Sequence, residues 1–254
     1  MKKPIALITG SSSGIGKATA FELAKNGFDL ILNARRKELL YKLKKQIEAK
    51  YNVEVFISVF DVSVKDQVHE AFCAISNKFK HIDVLLNNAG LALGLNSIEE
   101  GIESDWETML DTNVKGLLYV TKNAFPLLKK SRNPHIINIG SIAGKETYPL
   151  GNVYCATKHA VDSLSKALRM EFLKYEIKVT QISPGAVETD FSLVRFKGDK
   201  KKATEVYKGF KPLKPEDIAH IINFIISLPK HVNINDILIM PTHQATAGII
   251  KREG

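Results

Sequence analysis

The stretch Thr9–Gly16, TGSSSGIG, places three glycines within eight residues directly behind the apolar run Ile5-Ala6-Leu7-Ile8. An apolar run that ends in glycines and passes into a segment of helical period, Ile15 to Asn26, reads as a strand, a tight loop and the start of a helix. Gly10 closes the strand. Ser12, Ser13, Gly14, Ile15 and Gly16 lead into the helix, so that bare backbone N–H groups and the positive helix end face one spot, which suits a pyrophosphate. The spacing is G-x-x-x-G-x-G rather than the G-x-G-x-x-G of the usual dinucleotide fingerprint, and taken alone it fits a structural turn equally well.

Outward from this loop, short apolar runs near 4–9, 29–34, 53–59, 83–87, 135–140, 177–182 and 235–240 alternate with longer segments of helical period such as 37–50, 105–130 and 197–208. That alternation predicts an α/β fold, a doubly wound parallel sheet with helices on both faces. Runs such as Ile5-Ala6-Leu7-Ile8 and Ile136-Ile137-Asn138-Ile139 are apolar nearly throughout, as strands buried on both faces must be. The 254 residues, 44% of them hydrophobic, are read as one domain spanning 1–254. Residues 185–215 break the alternation with glycines and prolines. An insertion after a late strand lies near the carboxyl ends of the strands, so this segment is the expected substrate lid.

The bulk numbers exclude several classes. A net charge of +9 is scattered over helical stretches with no nucleic-acid motif beside it, so it reads as a solvated surface and no nucleic-acid partner is expected. The first apolar run is too short for a signal peptide or a membrane span, which predicts a cytoplasmic protein with no membrane partner. Cys73 and Cys155 lack the spacing of a disulfide framework or a metal site, so reduced thiols and no metal are expected.

The second strand ends about twenty residues beyond the glycine loop, where an NAD-binding fold places a carboxylate for the ribose hydroxyls. Here the residues are Ala34-Arg35-Arg36. Without an acid, and with a guanidinium fork that matches phosphate, the position favours the 2′-phosphate of NADP, Arg35 above all. Asp61-Val62 closes the third strand, where a carboxylate meets an adenine amino group. Asn87-Asn88-Ala89-Gly90 follows the fourth strand, Ser141 the fifth, and Tyr154-x-x-x-Lys158 puts a phenol and an ammonium on one helical face.

Together TGSSSGIG, NNAG, Asn113, Ser141, Tyr154-x-x-x-Lys158 and Pro184-Gly185 resemble the short-chain dehydrogenase/reductase family over essentially the whole chain. The resemblance implies a seven-stranded Rossmann-like sheet, a nicotinamide cofactor, a catalytic tetrad of Asn113, Ser141, Tyr154 and Lys158, and a homotetramer. It also implies that Asn88, Ala89 and Gly90 lie under the adenosine and that Pro184, Gly185, Val187 and Thr189 cover the nicotinamide and its phosphate; Thr189 equally suits a helix cap. Asn113 in the family holds a water that links Lys158 to solvent. An unperturbed tyrosine with a pKa of about 10 is a poor base at neutral pH, so the Lys158 ammonium is expected to favour tyrosinate while Ser141 hydrogen-bonds the substrate oxygen.

The carboxyl third, from Val187-Glu188-Thr189-Asp190-Phe191 through Pro215-Glu216-Asp217 to His231-Val232-Asn233, is similar to the NADP-dependent 3-hydroxy acid dehydrogenase branch of the family. The small-molecule substrate then implied, a short 3-hydroxy acid such as serine or the corresponding semialdehyde, carries a carboxylate that needs a cation. Arg195 is the candidate, with Lys145 and Lys197 as competitors and Tyr148 and Phe191 as further lining residues. The rival readings are a 3-oxoacyl carrier-protein reductase, against which the ending Pro241-Thr242-His243-Gln244 lacks the usual glycines, and a non-catalytic NADP-sensing or nucleic-acid-binding protein.

Overall fold

Ile5–Ile8 forms strand β1, buried at every position, and its hydrogen-bonded neighbours set the architecture. The structure is a computed structural model that describes residues 3–253. After β1 come α1 (Gly14–Lys25), β2 (Asp29–Ala34), α2 (Lys37–Lys50), β3 (Val55–Val59), α3 (Lys65–Lys78) and β4 (Val84–Asn87). The second half runs through α4 (Glu103–Leu110), α5 (Gly116–Leu128), β5 (His135–Ile139), α6 (Asn152–Phe172), β6 (Lys178–Pro184), α7 (Phe191–Arg195), α8 (Lys200–Glu205), α9 (Pro215–Ser227) and β7 (Asp236–Ile239). The seven strands make one sheet in the order β3-β2-β1-β4-β5-β6-β7, and every pairing is parallel. Among the described residues no helix is long and apolar enough to cross a membrane.

Alternate residues of each strand feed two cores. Ala6, Ile8, Leu30 and Leu32 face α1, α2 and α9 through Leu23, Leu40, Ile47, Ile218 and Ile222. Ile5, Leu7, Ile31, Leu85 and Ile136 face α3, α5 and α6 through Phe72, Ile75, Val120, Leu127 and Leu168. Burying each such side chain is worth about 1.5–3 kcal/mol, which is why the runs must be apolar on both faces.

The order of strands has a reversal. The chain moves outward from β1 to β2 and β3, then returns to place β4 on the other side of β1. The loops after β1 and β4 therefore diverge at their carboxyl ends and open a crevice, the place where ligands bind in such sheets. TGSSSGIG and NNAG are the two lips of that crevice.

The strand ends fall within a residue or two of the expected bounds. Two helices differ. Residues 105–130 do not run as one α-helix: α4 passes through a π-helical turn, Asp111–Lys115, before α5 begins. The widened turn carries Asn113, whose amide binds the backbone of Leu91, 22 residues away, from both sides. Residues 197–208 also break, because Lys197 and Gly198 both adopt positive φ and separate α7 from α8.

Gly16 shows what the glycine loop is packed against. A Cβ there would lie 2.6 Å from both the Gly10 carbonyl oxygen and the Asn88 side-chain nitrogen. The close neighbour of this glycine is the protein's own backbone, not only a ligand. Gly16→Ala is expected to cost about 1–3 kcal/mol, read as a lower denaturant midpoint at unchanged slope; an unchanged midpoint would mean that the Asn88 loop moves aside freely.

Candidate active site

A cavity of about 380 Å³ runs along the carboxyl ends of the strands. On the β2–β3 side it is lined by Ser12, Ser13, Gly14, Ile15, Arg35, Arg36, Asp61 and Val62; at the crevice by Gly10, Asn88, Ala89 and Gly90; and on the β5–β6 side by Ser141, Tyr154, Lys158, Pro184, Gly185, Val187, Thr189 and Phe191. Tertiary structure thus gathers residues spread over some 180 positions of sequence. Of the expected site residues, Gly16, Asn113, Tyr148 and Arg195 do not line this cavity. Asn33, Phe60, Leu91, Thr112, Ile139 and Gly140 do, and were not foreseen. Strand ends were the available signal for most of them, since Asn33, Phe60, Ile139 and Gly140 sit at or just past the carboxyl ends of β2, β3 and β5.

The glycine turn is held open by its partners. Gly10 and Gly14 have φ of +64° and +51°, which only glycine adopts without strain. The Thr9 hydroxyl oxygen accepts from the N–H groups of Asn88 and Ala89, each at 3.0 Å, and the Asn88 amide donates back to the Thr9 and Gly10 carbonyls. Gly14 borders Thr189, whose methyl carbon lies 3.2 Å from where a Cβ would stand. The Thr189 hydroxyl oxygen accepts from the Phe191 N–H at 3.2 Å, so the residue before the α7 N-cap both bonds the first turn of that helix and touches the glycine turn.

The two arginines divide. Arg36 Nη2 donates to the hydroxyls of Ser12 and Ser13, both at 3.1 Å, and so stands over the glycine turn. Arg35 turns to Asp61 at 3.4 Å with a side chain 63% exposed. Partial burial pushes Asp61 up, but the Ser63 hydroxyl and N–H together with Arg35 hold it below the ordinary carboxylate value. Both arginines line the cavity, Arg36 engaged with the serines of the glycine turn and Arg35 with the Asp61 carboxylate, which also accepts from Ser63. No acid follows β2, and two guanidinium groups with two serine hydroxyls offer donors that fit a phosphate outside the first ribose.

On the opposite side, Ser141 follows β5 by two residues and caps a short 3₁₀ turn, its oxygen accepting from Ala143 N–H at 3.1 Å. The long helix α6 brings Tyr154 and Lys158 to it from a single face. Both are nearly buried, at 9% and 7% exposure. Burial pushes Tyr154 up to about 12, opposed by the Arg195 guanidinium and the neighbouring Ser141 hydroxyl. Burial alone pushes Lys158 down to about 8. Its Nζ donates to the Ile139 carbonyl at 2.9 Å and lies 6.0 Å from the Tyr154 ring centre, while the Arg195 Cζ lies 4.9 Å from it. Two cations therefore stand near the tyrosine.

Asn113 sits behind these residues. Its Oδ1 accepts from Leu91 N–H at 2.9 Å, and its Nδ2 donates to the Leu91 carbonyl at 2.8 Å and to the Thr157 hydroxyl at 3.1 Å. The amide is fully committed to tying the β4 loop to α6, one residue from Lys158.

A second pocket, bordered by Trp106, Met109, Asp105, Leu150, Tyr154 and Arg195, continues the site away from the sheet. Arg195 Nη2 donates to the Tyr148 hydroxyl at 2.9 Å, and its Cζ lies 5.2 Å from the Phe191 ring. Its Nε is buried with no partner. The competing cations are already spent: Lys145 pairs with Asp162 and Asp236, and Lys197 pairs with Asp105 at 2.8 Å.

Comparison with known proteins agrees with this geometry. The sequence profile of the family described as short chain dehydrogenase matches residues 4–199. The NADP-dependent 3-hydroxy acid dehydrogenase of Schizosaccharomyces pombe is 44% identical over 248 residues, covering 97% of this chain and 96% of its own. The sulfoacetaldehyde reductase of Chromohalobacter salexigens is 43% identical over 239 residues, covering 94% of each chain. The closed form of serine dehydrogenase complexed with NADP+ superposes with a TM-score of 0.91 at 39% identity, over 98% of this chain and 100% of the other. With a match over most of its length, and with a glycine turn, a Ser-Tyr-Lys cluster and a seven-stranded parallel sheet in the places described, this chain belongs to the short-chain dehydrogenase family.

Proposed function

We propose that the protein is an NADP-dependent oxidoreductase that interconverts a short 3-hydroxy acid, of the serine, 3-hydroxypropionate or 3-hydroxyisobutyrate class, and the corresponding semialdehyde. The observation that carries the substrate is Arg195. A guanidinium without a carboxylate partner stands over the Tyr154 ring with a buried, unpartnered Nε, so it selects molecules whose anion lies a few bonds from the reacting oxygen.

In this reading the residues divide the work. Ser12, Ser13 and Arg36, with Arg35 beside them, hold the 2′-phosphate, and the N–H groups of the turn from Gly10 through Ile15 and Gly16 take the pyrophosphate. Asp61, Val62, Asn88, Ala89 and Gly90 enclose the adenosine; Pro184, Gly185, Val187 and Thr189 enclose the nicotinamide end. When bound, NADP supplies the acceptor of a hydride from the carbinol carbon, or its donor in the reverse direction. Ser141 donates a hydrogen bond to the substrate oxygen as charge changes there. Tyr154 takes the hydroxyl proton during oxidation and returns it during reduction. Lys158, pushed down to about 8, is matched to exchanging a proton near neutral pH. Asn113 holds Leu91 and Thr157 and so fixes the floor beneath Lys158. Tyr148 and Phe191 orient Arg195.

The lid belongs to the same proposal. Residues 185–215 fold back as α7 and α8, joined by a bridge between Val187 and Leu213 and by the Tyr207 hydroxyl, which donates to the Val187 carbonyl at 2.9 Å. Within a single domain, this flap carries Arg195 and Phe191 over Tyr154. A cytoplasmic homotetramer completes the reading: both cysteines are unpaired, and Leu118 on α5 with Met170 and Leu173 at the end of α6 expose apolar side chains that a second copy would cover. A sulfonate in place of the carboxylate is the second reading, since the Arg195 fork accepts either anion.

Four measurements test it. Reduction of NADP, run beside NAD, with 3-hydroxypropionate, L-serine, 3-hydroxyisobutyrate and isethionate is expected to show turnover on the carboxylates. Arg195→Ala should raise their KM about tenfold or more, and turnover confined to isethionate would select the sulfonate. Tyr154→Phe should lower kcat by about 10²–10⁴ while NADP still binds. Arg36→Asp should weaken NADP by about tenfold or more relative to NAD, and more than Arg35→Asp does; equal NADP affinity in all three proteins would remove the phosphate argument.

A further inference from the structure

We infer that Arg195 has a second role, as an electrostatic partner that acts beside Lys158 on the proton affinity of Tyr154, so that the substrate's own negative charge adjusts the group that takes its proton. The inference rests on Tyr154 as the acid–base residue of the proposed function. Its geometry is direct. The Arg195 Cζ lies 4.9 Å from the centre of the Tyr154 ring, nearer than the 6.0 Å of the Lys158 Nζ.

Arg195 is also held there. The Tyr148 hydroxyl accepts from its Nη2, the Phe191 ring flanks it at 5.2 Å, and its carbonyl accepts from the Gly94 N–H at 2.9 Å. No carboxylate among the described residues lies within ion-pair distance of it, and Asp105, which borders the same pocket, is paired with Lys197. The other groups around Tyr154 carry little compensating charge. Ser141 approaches from the end of β5 and Tyr148 from the loop before α6, while Cys155 and Lys158 stand on α6 itself. Lys158 is the other cation: its ammonium donates to the neutral Ile139 carbonyl, which leaves its charge uncompensated, 6.0 Å from the ring centre. Burial raises the proton affinity of Tyr154, and Arg195, the nearer of the two cations to its ring, opposes that rise.

A carboxylate that binds Arg195 cancels that opposition. Before substrate arrives, the free guanidinium favours tyrosinate; after it arrives, the tyrosinate sits beside a neutralised pair and becomes the stronger base. During oxidation this drives the substrate O–H proton onto Tyr154 Oη. During reduction the semialdehyde's carboxylate keeps Tyr154 protonated and ready to donate. Uncharged alcohols leave the cation uncompensated and meet a weaker base.

The test follows Tyr154 directly. The NADP+-bound protein labelled with ¹³Cζ-tyrosine would be titrated by NMR, Tyr154 being assigned as the resonance missing from Tyr154→Phe. Propionate, which has the anion and no hydroxyl, is expected to raise the Tyr154 midpoint by about one pH unit or more. Arg195→Gln should raise the midpoint by itself and abolish the response to propionate, while Arg195→Lys should keep both. A midpoint shared by wild type and Arg195→Gln, or one indifferent to saturating propionate, would overturn the inference and leave Arg195 as a substrate clamp alone. Because the titration needs no turnover, inactivity on every 3-hydroxy acid would defeat the proposed substrate without altering this result.

Discussion

The hydroxyl of Thr9 and the amide of Asn88 join the two loops on which the site depends. In a sheet ordered β3-β2-β1-β4, the chain leaves β1 and β4 in different directions, and the crevice between them would otherwise have two loose lips. Thr9 accepts from two successive N–H groups of the β4 loop, and Asn88 returns two bonds to the β1 loop. These atoms leave little space, and the glycines meet that condition. Gly10 and Gly16 lack a Cβ where the Asn88–Ala89 segment passes. The helix end of α1 is thus aimed at the crevice by contacts inside the protein, before any phosphate contributes.

From the same strand, a second set of buried amides reaches the chemistry. Asn87 donates to Thr121 on α5 and to Asn138 on β5, and Asn138 donates to Ser165 on α6. These side chains replace apolar residues in an apolar sheet, which is unfavourable unless each bond is made. Once made, they fix the axial position of α6 against β4 and β5. Tyr154 and Lys158 inherit that position. Asn113 and Thr157 add a third tie from the π-helical turn. Rigid placement in a nearly dry environment is what displaces this phenol and this ammonium so far from their values in water.

What could be read from the sequence was local. TGSSSGIG, the strand runs and the Tyr154–Lys158 spacing each carry their meaning within a few residues, and the sheet and the crevice follow from their order. The side-chain partners that sequence does not show arise where two distant parts of the chain meet. Arg35 and Arg36 are adjacent in sequence, yet one meets Asp61 and the other the serines of the glycine turn, because the chain turns from β2 into α2 between them. Lys145 looked available until Asp162 and Asp236, 17 and 91 residues away, were brought to it. The break in the helix at Asp111–Lys115 follows from a loop 22 residues upstream, and no feature of the segment DTNVK announces it.

That break lets one rod serve two surfaces. A wider turn inserts a residue into the helical count and so rotates everything after it by about 100° relative to an unbroken helix. Upstream of it, Trp106 and Met109 border the pocket beside Arg195; downstream, Val120, Ala124 and Leu127 fill the core under the sheet. The phase of the first surface is thereby decoupled from that of the second. Pocket shape on α4 can diversify among relatives by changes of side chain alone, with the helical phase of the core left where the sheet requires it.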